Sequence, residues 1–283
     1  MRARSALRFG IRAAALAAAA AVLAPVIGDA VLVAPHAIFM NHRTRTGQMY
    51  LINTGTLPEE VSVDLEYGYP ASDSEGGVYV RIVDHPDSSQ PSASSWIRAY
   101  PRRTVVAPGE RQLVRLLAEP PLGLPDGEYW SRVIVTSEQV RPALATDTSV
   151  RAGVNVQIRT ILSLQYRKGP VTTSVAMTEF RPELTRDSLI AWVELERGGN
   201  AAYLGSVALD VRDPQGRALG NWTTPIAVYY HVRRRFAFAL DSAATLSGPY
   251  AVRVRVSTDR EDLAASDVLP APPVVDSAVV QLH

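Results

Sequence analysis

One stretch of this sequence decides its fold: Ser149-Val150-Arg151-Ala152-Gly153-Val154-Asn155-Val156-Gln157-Ile158. Apolar residues occupy every second position of it, namely Val150, Ala152, Val154, Val156 and Ile158. Successive side chains of a β-strand point to opposite sides of the backbone, so a period of two places all five on one face. The pattern therefore predicts a strand with one apolar face. That face either closes the core of its own sandwich or stays open to pair with another chain.

Short alternating runs recur along the chain, with Pro and Gly turn signals between them. In the first half they predict strands at 37–40, 48–53, 61–67, 78–83, 95–100, 111–118, 129–137 and 150–166. In the second half they predict strands at 175–180, 189–197, 203–212, 226–230, 236–240, 250–258 and 274–282. This rhythm is typical of all-β proteins, and we expect two tandem immunoglobulin-like β-sandwiches. Lys168-Gly169-Pro170 marks the expected boundary, which gives domains at 31–168 and 169–283.

The N-terminus has the organisation of an export signal. Its basic residues are Arg2, Arg4, Arg8 and Arg12, and an apolar, Ala-rich run follows at 13–27. Small residues at 28–30 fit a signal-peptidase site, which predicts a signal peptide over 1–30. The apolar run is shorter than the roughly 20 residues needed to span a bilayer, so we expect cleavage and no membrane span afterwards. The expected location is the periplasm, with secretion or the cell surface as the alternative.

Composition argues against several classes of function. The chain has no Cys, and its net charge of +1 becomes −2 without residues 1–30, so nucleic acid is not an expected partner. Its five His show no metal-ligand spacing, and it has neither a nucleotide-binding glycine loop nor a nucleophile elbow. We therefore expect no metal, no cofactor and no enzymatic activity.

Four segments of the first expected domain have a distinctive order. Pro35-His36-Ala37-Ile38-Phe39 precedes a strand that ends in Asn53-Thr54-Gly55. A hairpin from Tyr100-Pro101 through Pro108-Gly109 leads into Gln112-Leu113-Val114-Arg115-Leu116. The last two segments are Asp126-Gly127-Glu128-Tyr129-Trp130 and the strand that ends in Leu162-Ser163-Leu164-Gln165-Tyr166-Arg167. Together they resemble the periplasmic chaperones of the chaperone–usher pilus pathway over roughly residues 34–167.

The resemblance implies a function for the opening stretch. In that family, alternating apolar residues of the last strand of the first domain are donated to an incomplete pilin subunit. Aligning Tyr166-Arg167 with the family's Tyr-Arg end places Val154, Val156 and Ile158 at the donated positions. The implied partners are a secreted, pilin-like subunit and an outer-membrane usher. Such binding is β-augmentation, in which main-chain hydrogen bonds give affinity and alternate side chains fill pockets.

The sequence departs from the family at the residues that hold the pilin's terminal carboxylate. The family's first-strand Arg aligns with His36 and its last-strand Lys aligns with Ser163. Neutral donors make weaker hydrogen bonds to a carboxylate than cations do, so these are weak anchor positions and the clamp is not carried over. Arg159 is a nearby cation, and we expect that it would need a β-bulge to reach the site.

A second class of function fits the same patterns. The chain can be a secreted immunoglobulin-like module for structure or adhesion, with the apolar strand satisfied inside its own sandwich. Exposure of Val154, Val156 and Ile158 separates the two hypotheses. Donation requires that these side chains be accessible, whereas full burial in the protein's own core would contradict it.

Overall fold

The computed structural model describes residues 31–140, 156–185, 187–239 and 249–281. All regular structure in these ranges is β-strand, which confirms the predicted all-β class. Within the same ranges there is no helix of the length and apolarity that a membrane crossing requires. The predicted signal peptide at 1–30 and Val154 lie outside the described residues.

Seventeen strands follow one another along the described chain. The first ten are β1 (Val31–Ala34), β2 (Ala37–Asn41), β3 (Thr46–Asn53), β4 (Glu59–Ser72), β5 (Val78–Val83), β6 (Ile97–Tyr100), β7 (Arg103–Val106), β8 (Arg111–Ala118), β9 (Gly127–Gln139) and β10 (Gln157–Lys168). The other seven are β11 (Thr173–Leu184), β12 (Ser188–Gly199), β13 (Tyr203–Arg212), β14 (Ala218–Val228), β15 (His231–Ala239), β16 (Tyr250–Ser257) and β17 (Val274–Val280).

The strands form two sandwiches in series, as predicted. In the first, the sheet β1-β3-β8-β6 faces the sheet β2-β10-β9-β4-β5, to which β7 adds by pairing with β4. Alternate residues of both sheets, such as Leu116, Val133 and Leu164, form a buried core between them. In the second sandwich, β11-β12-β15 faces β14-β13-β16-β17 around Leu195, Val207 and other buried residues. A period of two therefore produces the core in both sandwiches.

Several strand limits agree closely with the periodicity, and others differ for identifiable reasons. The strands at 78–83 and 111–118 match their predicted limits. β14 begins earlier than the predicted strand 226–230. Its first part contains Gly220, Asn221 and Pro225, which are depleted in strands, so the sequence indicated a loop there. The predicted strand 150–166 is described only from Gln157, where β10 begins.

Asn53 fastens the end of β3, and its side chain is buried. Its Nδ2 donates to the carbonyls of Leu57 at 2.8 Å and Val106 at 2.9 Å, and its Oδ1 accepts from the Gly55 amide at 2.9 Å. Asn53→Ala leaves these main-chain groups without their hydrogen-bond partner, so we expect the free energy of unfolding to fall by about 2 kcal/mol. Urea unfolding followed by far-UV circular dichroism measures it. Asn221→Ala, at an exposed position of β14, is the matched control, and an equal loss there would contradict the role of Asn53.

Candidate functional site

β10 is paired on both sides over only part of its length. It pairs antiparallel with β9 from Gln157 to Lys168 without a register shift. On its other side it pairs parallel with β2, and only over residues 163–167. The described chain places no strand beside residues 157–162 on that side. We call this segment, residues 157–162 of β10, the open edge.

The open edge presents main-chain hydrogen-bonding groups. The Ser163 amide donates to the His36 carbonyl at 3.3 Å, so the main chain of Ser163 faces the β2 side of the strand. Since main-chain groups alternate sides along a strand, Gln157, Arg159 and Ile161 direct their N–H and C=O groups to the open edge. These are the groups that an added strand would bond.

The inner face of β10 changes from buried to exposed along the strand. Leu162 and Leu164 are buried in the first sandwich core. Ile158, on the same face, is half-buried, and Val156 is 55% exposed. The core therefore ends before the apolar pattern of the sequence does. The predicted donor face is left partly uncovered at Val156, whereas Val154 lies outside the described residues.

The outer face of the open edge carries Arg159 and Ile161. Their cross-strand partners on β9 are Thr136 and Ile134, so Ile161 lies beside a buried isoleucine while being 41% exposed itself. The period-two pattern did not indicate Ile161, because it falls on the face that otherwise carries polar residues. A weak signal was present, namely an apolar residue out of phase within an alternating strand.

The two positions aligned with the family's carboxylate clamp lie side by side. Ser163 is in register with Ala37, and its amide bonds the carbonyl of His36. The imidazole Nε2 of His36 lies 3.3 Å from a carboxylate oxygen of Asp262. Arg260 also binds Asp262 at 2.6 Å, and this hydrogen bond lowers the pKa of the Asp262 carboxyl to about 2. The position therefore already holds a carboxylate of the protein itself, and the Arg260 cation beside it is already paired.

Arg159 stands apart from this position. It shares the outer face with Ser163 but lies four residues along the strand, about 13 Å at the usual rise. The pairing of β10 with β9 is regular over the described strand, which has no β-bulge of the kind that Arg159 would need to reach the site. Distance along a straight strand, rather than orientation, separates Arg159 from His36 and Ser163.

A buried ion pair holds the paired half of β10 against the second sandwich. The Glu128 carboxylate is buried, with Oε2 2.8 Å from Nε of Arg167 on β10. Its Oε1 accepts from Nε1 of Trp130 at 2.8 Å and from the amide of Ala202, in the second sandwich, at 3.0 Å. The Glu128 carboxylate thus binds three groups at once, and it fixes the end of β10 that is distant from Val156.

Aromatic rings also pack at this junction between the two sandwiches. Trp130 is buried and packs edge-on against Tyr229 and Tyr230, with centroid distances of 4.6 and 5.2 Å. The hydroxyls of Tyr67 and Tyr230 are 2.6 Å apart, and burial raises the pKa of Tyr67. Edge-on ring pairs in a buried cluster are favourable beyond the area they bury. The two sandwiches therefore meet through a packed contact at this point.

A hairpin of the first sandwich also closes one edge of the second. The tip between β4 and β5 reaches β15, where the Arg233 amide donates to the Ser72 hydroxyl at 2.9 Å and the Arg235 amide to the Gly76 carbonyl at 3.1 Å. Gly76 has φ of 77°, and a Cβ there would lie 2.5 Å from the Arg235 nitrogen. Only glycine fits this contact without displacement. The edge of β15 is thus occupied, in contrast to the open edge of β10.

The described residues contain no group of three or more His, Asp or Glu arranged to hold a metal ion. Comparison with protein-family models found no match, and comparison with curated proteins found none either.

Solved structures of pilus chaperones match the chain over most of its length. The CupB2 chaperone of Pseudomonas aeruginosa is 12% identical, covering 87% of this chain and 98% of its own, with a TM-score of 0.41. A chain from the Salmonella enterica complex of the SafA pilin with the SafB chaperone is 14% identical, covering 88% and 97%, with a TM-score of 0.43. A chain from the Acinetobacter baumannii CsuC–CsuE pre-assembly complex is 13% identical, covering 72% and 89%, also with 0.43. At such identities and TM-scores these matches describe a likeness of fold alone.

Proposed function

We propose that this protein is a periplasmic chaperone that binds secreted, pilin-like subunits by strand pairing along the open edge of β10. The observation that carries the proposal is the half-paired state of β10. Main-chain groups of Gln157, Arg159 and Ile161 face the unpaired side, and Val156 remains exposed on the adjoining apolar face. A long edge with these properties is a template for pairing with another chain.

Two contributions would hold a client strand at this edge. Main-chain hydrogen bonds give affinity that is largely independent of sequence, and apolar side chains give selectivity. Burying Val156 and Ile158 against a client would contribute about 1.5–3 kcal/mol for each fully buried side chain, before ordering costs are subtracted. The proposed mechanism requires no chemical step.

The scaffold reduces the ordering cost of binding. β9 pairs with β10 along its whole described length, and the Glu128–Arg167 ion pair fixes the far end of the strand. A strand held in its bound conformation loses less freedom when a client arrives. Because Asp262 already occupies the clamp position, the client would be held by the strand itself and not by its terminal carboxylate.

The alternative, a secreted module for structure or adhesion, has less support from this geometry. That hypothesis requires the last strand of the first sandwich to be satisfied internally. Among the described residues, β10 is paired on both sides over 163–167 only. The periplasmic location rests on the export signal predicted at 1–30, and an usher as second partner rests on the sequence resemblance.

Val156→Asp tests the proposal. Val156 is exposed, so the fold should tolerate aspartate there, whereas a charge on the donor face would oppose burial against a client. The probe is a fluorescein-labelled peptide of alternating Val and Thr, about ten residues long so that it spans the open edge. We expect at least about tenfold weaker binding by fluorescence anisotropy, equivalent to about 1.4 kcal/mol.

Val105→Asp is the matched control, because Val105 is a similarly exposed valine on β7, away from the open edge. It should bind the peptide as the unmodified protein does. Unchanged binding by Val156→Asp, with both variants folded by circular dichroism, would contradict strand donation at this edge.

A further inference from the structure

The outer face of the open edge indicates the chemistry of the client strand. We propose that Arg159 selects client strands carrying a carboxylate side chain opposite it, two positions from an apolar side chain that packs on Ile161. This inference rests on the proposed function and adds a sequence requirement to it. The pattern expected in a client strand is an acidic and an apolar residue separated by one residue.

Arg159 is accessible and has unused hydrogen-bonding capacity. Its side chain is 53% exposed, and Glu66 is the one carboxylate of the described chain within 4 Å of it. That contact is 3.9 Å long, which is beyond hydrogen-bonding distance. A guanidinium carries five donors in a planar fork that matches a carboxylate, so a client Asp or Glu can take a bidentate position that Glu66 does not use.

Arg159 is the charged residue of this face whose strand borders the open edge. Glu138 lies on β9, one strand further in, and Asp64 and Glu66 lie on β4, two strands in. Arg102 already binds Asp64 at 2.5 Å. The Arg159 guanidinium extends over the sheet to within 3.9 Å of Glu66, so its exposed side chain has to turn outward to meet a client strand about 4.8 Å beside β10.

The far end of the open edge offers a client carboxylate less attraction than Arg159 does. Asp262 lies at His36, where pairing of β10 with β2 begins, and it already pairs with Arg260 at 2.6 Å. A client carboxylate is thus attracted at Arg159 and meets an ion pair that is already complete about 13 Å further along the strand. This difference along one edge favours a single register, which main-chain hydrogen bonds alone leave ambiguous because a strand can slip along an edge.

Ile161 supplies the second contact. Its side chain is exposed beside buried Ile134, on the same face as Arg159 and two residues away. An apolar client residue at this point would extend a small apolar patch, whereas a charged one would be desolvated without a partner. Arg159 and Ile161 therefore each contact one client side chain, and these two client side chains lie on the same face of the strand, two residues apart.

The test uses three forms of the labelled alternating peptide. In all three, one Thr is replaced by Leu to lie opposite Ile161, and the Thr two positions from it is replaced by Glu, Gln or Lys. We expect the unmodified protein to prefer the Glu peptide over the Lys peptide by about fivefold to tenfold at low salt, and less as salt is raised. Arg159→Gln should abolish this preference, and Arg159→Glu should reverse it. Arg102→Gln is the matched control, since it removes one exposed arginine that pairs with Asp64 of β4 and lies away from the open edge, and it should keep the preference.

The outcomes separate this inference from the proposed function. Equal binding of the three peptides, abolished in each case by Val156→Asp, would overturn the role of Arg159 and leave strand pairing intact. A preference that survives Arg159→Gln would overturn it as well. Failure of all three peptides to bind any form of the protein would contradict strand pairing itself, and the inference with it.

Discussion

Glu128→Ala is expected to lower the free energy of unfolding by about 3–5 kcal/mol, the usual cost of breaking one side of a buried ion pair. Glu128 is 2% exposed, and its carboxylate receives the Arg167 guanidinium, the Trp130 indole and the Ala202 amide. Alanine leaves a largely buried cation and two donors without their acceptor. Urea unfolding followed by far-UV circular dichroism measures the loss.

Two further variants separate charge from hydrogen bonding. Glu128→Gln keeps an acceptor for Trp130 and Ala202 but removes the charge that faces Arg167, so its loss should fall between zero and that of alanine. Glu183→Ala removes a half-exposed carboxylate that pairs with Arg181 at 3.4 Å, and it should cost less than about 1 kcal/mol. Equal losses for Glu128→Ala and Glu183→Ala would show that the buried pair does not hold the junction.

Glu128→Ala should also weaken peptide binding at the open edge. Arg167 lies at the paired end of β10, so releasing it loosens the strand whose other half is the open edge. Ordering that strand on binding would then cost more, and we expect the alternating peptide to bind Glu128→Ala more weakly than the unmodified protein. Val156 and Ile158 are untouched in this variant, so weaker binding would report loss of preorganisation rather than loss of contacts.

Local pattern was sufficient for the parts of the fold that depend on single strands. The period of two located β8 and β5 to the residue and placed Val156 and Ile158 on one face. β14 was found only at its C-terminal end, because the pairing of Ala218–Val228 with β13 overrides the poor strand propensity of Gly220 and Pro225. Tertiary pairing decides such segments, and a sequence window does not contain it.

The candidate site depends on long-range register, which local pattern does not contain. The open edge exists because β2 stops pairing at Ser163, and that limit is set by strands more than 120 residues apart in sequence. Asp262 reaches His36 from the second sandwich, so the sequence revealed the missing clamp but not the carboxylate that occupies its place. The sequence indicated Glu128 as part of a motif but did not predict its burial. Charged residues are rarely buried unless they are paired, and the pairing of Glu128 depends on the tertiary structure.

Trp130→Ala is expected to cost about 3–5 kcal/mol, as large-to-small substitutions of buried aromatic residues do. The indole is buried between the sandwiches against Tyr229 and Tyr230, so its loss leaves a cavity at the junction. Each sandwich retains its own core, and we therefore expect calorimetry to resolve two unfolding transitions in place of a more closely coupled one.

Trp222→Ala is the control for this prediction. Trp222 is half-buried and stacks on Phe238 at 4.8 Å within the second sandwich, so its loss should be smaller and should leave the coupling between transitions unchanged. The double variant of Trp130 and Glu128 should lose less than the sum of the two single variants, because each single change already breaks their shared 2.8 Å hydrogen bond. Additive losses in the double variant would contradict the coupling of Trp130 to Glu128. Two transitions for Trp222→Ala but not for Trp130→Ala would mean that the sandwiches are coupled elsewhere, for example through the hairpin between β4 and β5 that contains Gly76.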